Sequence, residues 1–426
     1  MERKWQSLLF VVAMVLFAHA LTAEDWPQFR GPRGDGTWHG PELPAGWPES
    51  GLKVHWRKPI GGGYAGIAVV GDRLYTLDRQ TEPVERERVL CLDTASGEIV
   101  WQYEVPVTYG SLDYGNGPRC TPTVHDGRVY TVGALGHVAC LDAATGVVIW
   151  TKDYRDDFGG RLPTWGYAGS AVIHRDVVLL APGGPDAGLV ALDRVTGEER
   201  WRSLSDEAGY CTPLVVPFST GERIFHWTPS HIRGIDFATG KPLWGIPYEI
   251  TYGVSIAKPI FHENLLLVAG YWHGSKAVRV NPDIPTSAEL AWEENRYLRG
   301  LMSQPLYRDG YVYLLDKQYG LTCFELATGK KQWDDGNTAT PRDRNPQLSL
   351  VRLAGTDRAL ILNADGELIQ ARLTPEKYEE ISRAPLIGFT WAHPAFAGSS
   401  VYARSDTEIV GASLVGETDA KSDGER

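Results

Sequence analysis

Leu92-Asp93-Thr94-Ala95-Ser96-Gly97-Glu98-Ile99-Val100-Trp101 is the stretch on which the reading of this chain turns. It returns as Leu141-Asp142-Ala143-Ala144-Thr145-Gly146 ending at Trp150. It returns again as Leu192-Asp193 with Thr196-Gly197 and Trp201, and as Ile235-Asp236 with Thr239-Gly240 and Trp244. Phe324-Glu325 with Thr328-Gly329 and Trp333 is a further copy, and Val280-Asn281 to Trp292 a degenerate one. Counting Trp56, these tryptophans recur about every 46 residues, within the roughly 40–50 residues of a four-stranded propeller blade. A repeat of this kind cannot bury its apolar face alone, so neighbours must stack.

The second unit shows the internal pattern best. Thr121-Pro122-Thr123-Val124 reads as an inner strand and His125-Asp126-Gly127 as a tight turn. Arg128 to Val132, Val138 to Asp142 and Val147 to Trp150 read as the next three strands, with Asp-Gly and Thr-Gly as hairpin signals. The six Trp-ended units are blades one to six. Leu348 to Ile381 is a seventh without its Trp. Trp391 to Leu414 supplies three strands of an eighth, and Leu52 to Trp56 looks like its missing outer strand. The expectation is an all-β chain forming a closed eight-bladed β-propeller of four-stranded antiparallel blades, over residues 52–414. Seven blades is the alternative, because the seventh unit is the weakest. Closure removes the sheet edges that invite aggregation.

The motif small-x-Asp-x-x-Thr/Ser-Gly-x-x-x-Trp resembles the tryptophan-docking motif of the pyrroloquinoline-quinone-type (PQQ-like) propeller superfamily. The resemblance implies that Trp101, Trp150, Trp201, Trp244 and Trp333, with Trp56 and Trp292 in poorer contexts, stack on a peptide of the neighbouring blade. Asp25-Trp26-Pro27-Gln28-Phe29-Arg30-Gly31-Pro32-Arg33-Gly34-Asp35-Gly36 is similar to the arm that precedes the propeller in exported PQQ-like repeat proteins of bacteria. Residues 24–51 carry Trp26, Phe29, Trp38 and Trp47, too apolar for a solvated linker, while Pro and Gly forbid a regular helix. This arm is expected to pack along the propeller surface.

Residues 1–23 have the form of a secretory signal peptide. Arg3 and Lys4 precede an apolar run from Leu8 to Ala18, shorter than the ~20 residues of a membrane span, and small residues follow. No later apolar run is long enough to span a bilayer, so an exported protein, periplasmic or extracellular and soluble, is expected. Residues 415–426 are polar and read as a disordered tail. The net charge of −11 argues against nucleic-acid binding, which needs a basic footprint. Cys91, Cys140 and Cys323 share one strand position and read as small buried hydrophobes. Cys120 and Cys211 share another, two blades apart, so no disulfide framework is implied.

Strand order decides which loops could hold a ligand. In a four-stranded meander the segment leading into each inner strand shares a face with the loop between the second and third strands. The Thr-Gly turns lie on the opposite face. The first set supplies Tyr64, Arg119, Trp165, Tyr167, Tyr210, Tyr252, Arg299, Arg344, Trp391 and His393. The second includes Asp78, Arg79, Gln80, His137, Asp186, His231, Trp272, His273, Asp316, Lys317, Gln318, Asp365, Arg404 and Asp406. Aromatics with Arg around a central funnel suit a planar, anionic ligand held by stacking and bidentate contacts. The competing reading is that these side chains plug the channel. His231 and His273 lack a partner at metal-ligand spacing, and Asp334-Asp335-Gly336-Asn337 reads as a turn; no metal site is expected.

No His-Glu-x-x-His, Gly-x-Ser-x-Gly or phosphate-binding Gly-Lys-Ser/Thr is present. The chain also lacks the adjacent cysteine pair of the superfamily's quinoprotein alcohol dehydrogenases, and their calcium set cannot be matched. The expectation is therefore a non-catalytic binding or scaffold module of the cell envelope, without cofactor and monomeric. Its partner would be a protein or a small planar or carbohydrate ligand. The analogue is the propeller subunit of the outer-membrane β-barrel assembly machinery, from which this chain departs in lacking a lipid-anchor Cys. The alternative is a PQQ-dependent alcohol or sugar dehydrogenase using calcium, with Asp78 or Asp365 as general base, or a remnant that binds without turnover.

Overall fold

A computed structural model describes residues 23–115, 117–300 and 302–415. The segments read as signal peptide (1–23) and tail (415–426) lie, but for Ala23 and Val415, outside the described residues.

The repeated turn forms because its residues satisfy one another. Asp93 Oδ1 accepts hydrogen bonds from the amides of Ala95 and Ser96 and from Ser96 Oγ, and Gly97 N donates to Asp93 O. Gly97 has φ +70°, the left-handed conformation that glycine adopts without penalty. Asp142 with Thr145 and Asp193 with Thr196 repeat the arrangement. Each turn delivers the chain from a third strand to an outer strand, and eight such antiparallel sheets make an eight-bladed propeller. Blade 1 runs from Ala68–Val70 to Ile99–Pro106 and blade 7 from Leu348–Leu353 to Tyr378–Pro385. Blade 8 takes Ala395–Ala397, Ser400–Arg404 and Glu408–Ser413 from one end of the chain and its outer strand, Val54–Pro59, from the other. The buried Arg404 ties this seam to blade 1, its guanidinium donating to Leu77 O and Gly61 O. All five cysteines are buried thiols.

Every outer strand carries a register shift at the same point. In blade 1 it falls between the pairs Cys91–Trp101 and Leu92–Ile99, so Val100 is the extra residue. The shift recurs in the other seven blades. A bulge re-aims the side chain beside it, and here it turns the tryptophan toward the next blade. Indole Nε1 of Trp56, Trp101, Trp150, Trp201, Trp292 and Trp333 donates to the carbonyls of Thr94, Ala143, Arg194, Phe237, Leu326 and Thr374, each in the following blade. A Cβ on Gly97, Gly146, Gly197, Gly240 or Gly329 would strike the ring of the preceding blade's tryptophan. Trp56 and Trp150 are buried and the others partly so.

Two joints depart from the expected pattern, each with a substitute. Trp244 makes no such bond: its Nε1 is buried without a partner, and its ring lies over Gly234 of its own blade. Blade 5 has Ile284-Pro285 where a Thr-Gly turn would seat it. Arg223 crosses this joint instead, donating to Asn281 O at 2.6 Å and Pro282 O at 2.6 Å. In blade 7 the tryptophan position holds Ser382. There Trp47 of the N-terminal arm hydrogen-bonds Ser382 Oγ through its amide and donates its indole N–H to Leu414 O in blade 8.

The arm does more than lie along the surface. Thr37–Trp38 adds a parallel strand to the inner edge of blade 7. Trp26 bridges Val69 of blade 1, Pro27 O accepts from Val124 N of blade 2, and Arg30 donates to Pro305 O just before blade 6. Lys258, leading into blade 5, donates its Nζ to Gly34 O, and Trp26 and Trp38 pack on Phe396 of blade 8. The arm therefore crosses the central channel and plugs it.

Candidate functional site

Above the plug the channel opens into a cavity of about 270 Å³. Each inner strand is short and the chain enters it from the same face, so the residues just before the strands converge there. All eight blades contribute: Tyr64, Arg119, Trp165, Tyr210 with Thr212, Tyr252, Gln304, Arg344 with Gln347, and Trp391 with His393. Of the sequence-derived candidates, Tyr64, Arg119, Trp165, Tyr210, Tyr252, Arg344, Trp391 and His393 are thus brought together. Trp272, from a second-to-third-strand loop, joins them.

Tyr167 and Arg299 do not line the cavity. Gly166, at φ +74°, breaks the strand alternation between Trp165 and Tyr167, and the Tyr167 ring packs inward on Tyr154 at 4.8 Å. Arg299 is captured by Asp316, through its amide at 2.9 Å and its guanidinium at 3.3 Å, and by Gln318 at 3.1 Å. The bases considered for turnover lie elsewhere too. Asp78 is fully buried between Arg88 and Gly61 N, and Asp365 is exposed outside the cavity.

Two aromatic groups form the walls. On the arc of blades 8, 1 and 2, Trp391 stacks on Tyr64 with centroids 5.6 Å apart and meets Tyr114 at the same distance. On the arc of blades 3, 4 and 5, Trp165 contacts Tyr210 and Tyr252, and Tyr252 leads on to Trp272 and Tyr271. Tyr252 is 69% exposed and holds φ +60°, an uncommon backbone state for a non-glycine residue. Tyr114, which has no counterpart in the repeat, reaches the mouth on the long segment between blades 1 and 2, and Asn345 Nδ2 donates to its Oη at 3.4 Å.

The polar lining is biased to donors. Trp165 Nε1, Trp391 Nε1 and Gln347 Nε2 are buried without a hydrogen-bond partner. Arg119 lies over the Tyr64 ring at 5.7 Å, and its guanidinium is oriented by the carbonyls of Gly117, Asp113 and Tyr114. Burial lowers its pKa, opposed by Tyr109 and Tyr64 nearby. Burial with Asp406 nearby raises the Tyr64 hydroxyl to about 12, so it stays a neutral donor. His393 is neutral as well, its pKa lowered to about 4 by burial and by Arg30, and its Nδ1 pairs with Ser349 Oγ. Among the described residues no Asp or Glu lines the cavity, although the chain carries a net charge of −11. Among the described residues no three His, Cys, Asp or Glu side chains are grouped to hold a metal. The lining therefore fits the flat ring system of a quinone cofactor and does not fit its calcium ion.

Residues 47–209, 136–341 and 228–420, in overlapping stretches, match the family described as outer membrane protein assembly factor BamB. No curated protein sequence matches the chain significantly. The solved structures with a similar fold include BamB from Moraxella catarrhalis, 17% identical, with TM-score 0.57 over 85% of this chain and 99% of that one. They also include the quinohemoprotein alcohol dehydrogenase of Comamonas testosteroni, 15% identical, with TM-score 0.62 over 94% of this chain and 82% of that one. A europium-containing methanol dehydrogenase is 13% identical, with TM-score 0.65 over 91% and 90%. At these identities the likeness is one of fold. Among the described residues no helix is long and apolar enough to cross a membrane.

Proposed function

We propose, from the premise that this chain belongs to the BamB family of propellers, that it is an exported binding module of the cell envelope. Its central cup would take a flat ligand rich in hydrogen-bond acceptors, without turnover. The observation that carries the reading is the composition of the cup. Two aromatic walls and two guanidiniums converge on one cavity that, among the described residues, holds no carboxylate. A ligand that stacks between the walls while presenting carboxylates or carbonyls at its edge would pair with Arg119 and Arg344. A cation would meet Arg119 and Arg344, and a neutral sugar would find no acceptor for its hydroxyl protons on the carboxylates that such sites ordinarily supply.

Export is supported by the basic start and apolar run of residues 1–23 and by the family's description. A protein partner at the mouth is the second element, supported by the exposed aromatics Tyr114, Tyr252, Trp272 and Phe389 around it. The dehydrogenase alternative would need a base and a cation at the cup. The one titratable base in the lining is His393, whose Nδ1 is engaged by Ser349.

Calorimetric titration tests the reading, using pyrroloquinoline quinone with and without calcium, a neutral planar quinone and a neutral disaccharide. The acidic quinone is expected to bind best, and independently of calcium. Trp391→Ala and Arg344→Ala are each expected to weaken it about tenfold. Dye-linked alcohol oxidation above a no-protein control would overturn the non-catalytic part. Preference for the disaccharide would overturn the ligand class.

A further inference from the structure

The propeller does not build the cup alone, for one residue of its lining comes from elsewhere. It is Phe29, carried on the N-terminal arm. The neighbours Trp26 and Arg30 are buried, but Phe29 keeps part of its ring accessible, and it is the one arm residue that lines the cavity. It stands edge-on to His393 with ring centroids 5.0 Å apart, so it meets the wall where blade 8 enters.

The arm also sets the charge near that residue. Arg30 is buried and bonds only to carbonyls, those of Asp35 and Pro305. Lys258 is buried beside it on Gly34 O. Burial, with Arg30 alongside, draws the Lys258 ammonium down to about 8, and burial draws Arg30 down to about 10, opposed by Asp35. Both groups keep their protons at neutral pH. Asp35 is the carboxylate whose charge both cations feel, and its Oδ1 is engaged by Thr37 N. Positive charge with little screening therefore lies near Phe29.

We propose that the arm is part of the binding site: Phe29 is a ligand-contacting residue that fixes how deep a flat ligand sits, and filling the cup and seating the arm are coupled. The inference rests on the cup being a ligand site. If the ligand touches Phe29 only when the arm is seated, occupancy must favour the seated arm by the same factor by which seating favours binding. The arm-borne Arg30 makes that coupling larger for an anion than for a neutral ring of the same shape.

The experiment uses the full chain with pyrroloquinoline quinone as probe, the neutral 9,10-phenanthrenequinone as comparison, and two readouts. One is the dissociation constant. The other is amide hydrogen exchange of residues 24–40, followed by mass spectrometry. Binding is expected to slow exchange in this segment severalfold. Phe29→Ala should weaken the probe about tenfold, and Phe29→Leu, which keeps the arm's apolar anchor, severalfold. Arg30→Met should weaken the acidic quinone more than the neutral one. Wild-type binding with unchanged arm exchange and an undiminished affinity in Phe29→Leu and Phe29→Ala would overturn the coupling while leaving the cup as a site. Absence of binding of either quinone to the wild type would overturn the cup itself, and the coupling with it.

Discussion

Replacing an interblade tryptophan by phenylalanine should have opposite consequences at two joints that look alike in sequence. Trp150→Phe removes an indole N–H that donates to Arg194 O at 3.2 Å. A net hydrogen bond is worth about 1 kcal/mol, and Arg194 O keeps its second donor, the Tyr130 hydroxyl. Trp244→Phe removes an N–H that is buried without a partner, which relieves a desolvation penalty of about 1–3 kcal/mol. The loss of ring size is common to both and largely cancels in the comparison. The two variants should therefore differ by about 2 kcal/mol or more, with Trp244→Phe the more stable. Unfolding entropy near 2.1 cal/mol/K per residue makes 1 kcal/mol worth about 1.2 °C in a chain of this length, so the melting temperatures should separate by about 2–3 °C. The assay is differential scanning calorimetry of both variants at one scan rate, since a large protein need not unfold reversibly. Trp47→Phe belongs in the same series. It should behave like Trp150→Phe, because its indole bonds Leu414 O across the joint that blade 7 leaves unstapled. A Trp244→Phe variant that melts as low as Trp150→Phe would refute the assignment of the hydrogen bond as the decisive term.

Arg223→Leu should cost about 2 kcal/mol, because it strands the Asn281 carbonyl and leaves Pro282 O only the Thr220 hydroxyl; chemical denaturation of the variant measures it. Burial lowers His226 and His393 to about 4, so the unfolded chain takes up protons near pH 6.5 and the folded one does not until about pH 4. Stability should fall as pH drops through that window, and His226→Gln should flatten the slope of melting temperature against pH. Glu24 is held down to about 2, chiefly by its hydrogen bond with Arg33, so its grip is complete above its ordinary value and is lost as pH falls from there toward about 2. At pH 7, Glu24→Gln should speed tryptic cleavage after Arg30 and Arg33, read by intact-mass spectrometry; unchanged kinetics would show that the arm is held without this pair.

The eight-bladed ring and its seam were legible because they follow from local signals. Each Asp-to-Thr-Gly turn is made by residues within five positions of one another, and the spacing of the tryptophans counts the sheets. The position of most cup residues was legible for the same reason: strand order alone brings Tyr64, Arg119, Trp165 and Trp391 to one end. Tyr167 was misplaced because a single positive-φ glycine reverses a side chain without altering the pattern around it. Arg299 was misplaced because Asp316, on the same face, competes for it. Phe29, Tyr114 and Gln347 were not recognised as lining residues at all. The arm's course depends on contacts with inner strands remote in sequence, and nothing in its composition says which of its aromatics looks into the channel. The partnerless Trp244 could have been suspected from the missing Thr-Gly in blade 5. Its stand-in, Arg223, could not, since an arginine on a second strand carries no positional signal.

The blade that closes the ring is woven from both ends of the described chain, with Val54 opposite Ala412 and Pro59 opposite Glu408. That pairing spans nearly the whole described chain, so it carries the largest loop-closure entropy of any strand pairing among the described residues and forms only after the intervening sheets have aligned. Until then the outer edge of Glu408–Ser413 is a bare row of peptide groups. The time a newly made chain spends with that edge unpaired, more than the depth of its final energy minimum, sets its exposure to mispairing with other chains. Once the edge is paired, opening must first break the Val54–Pro59 ladder, and those strand bonds rather than the closure entropy hold the ring shut.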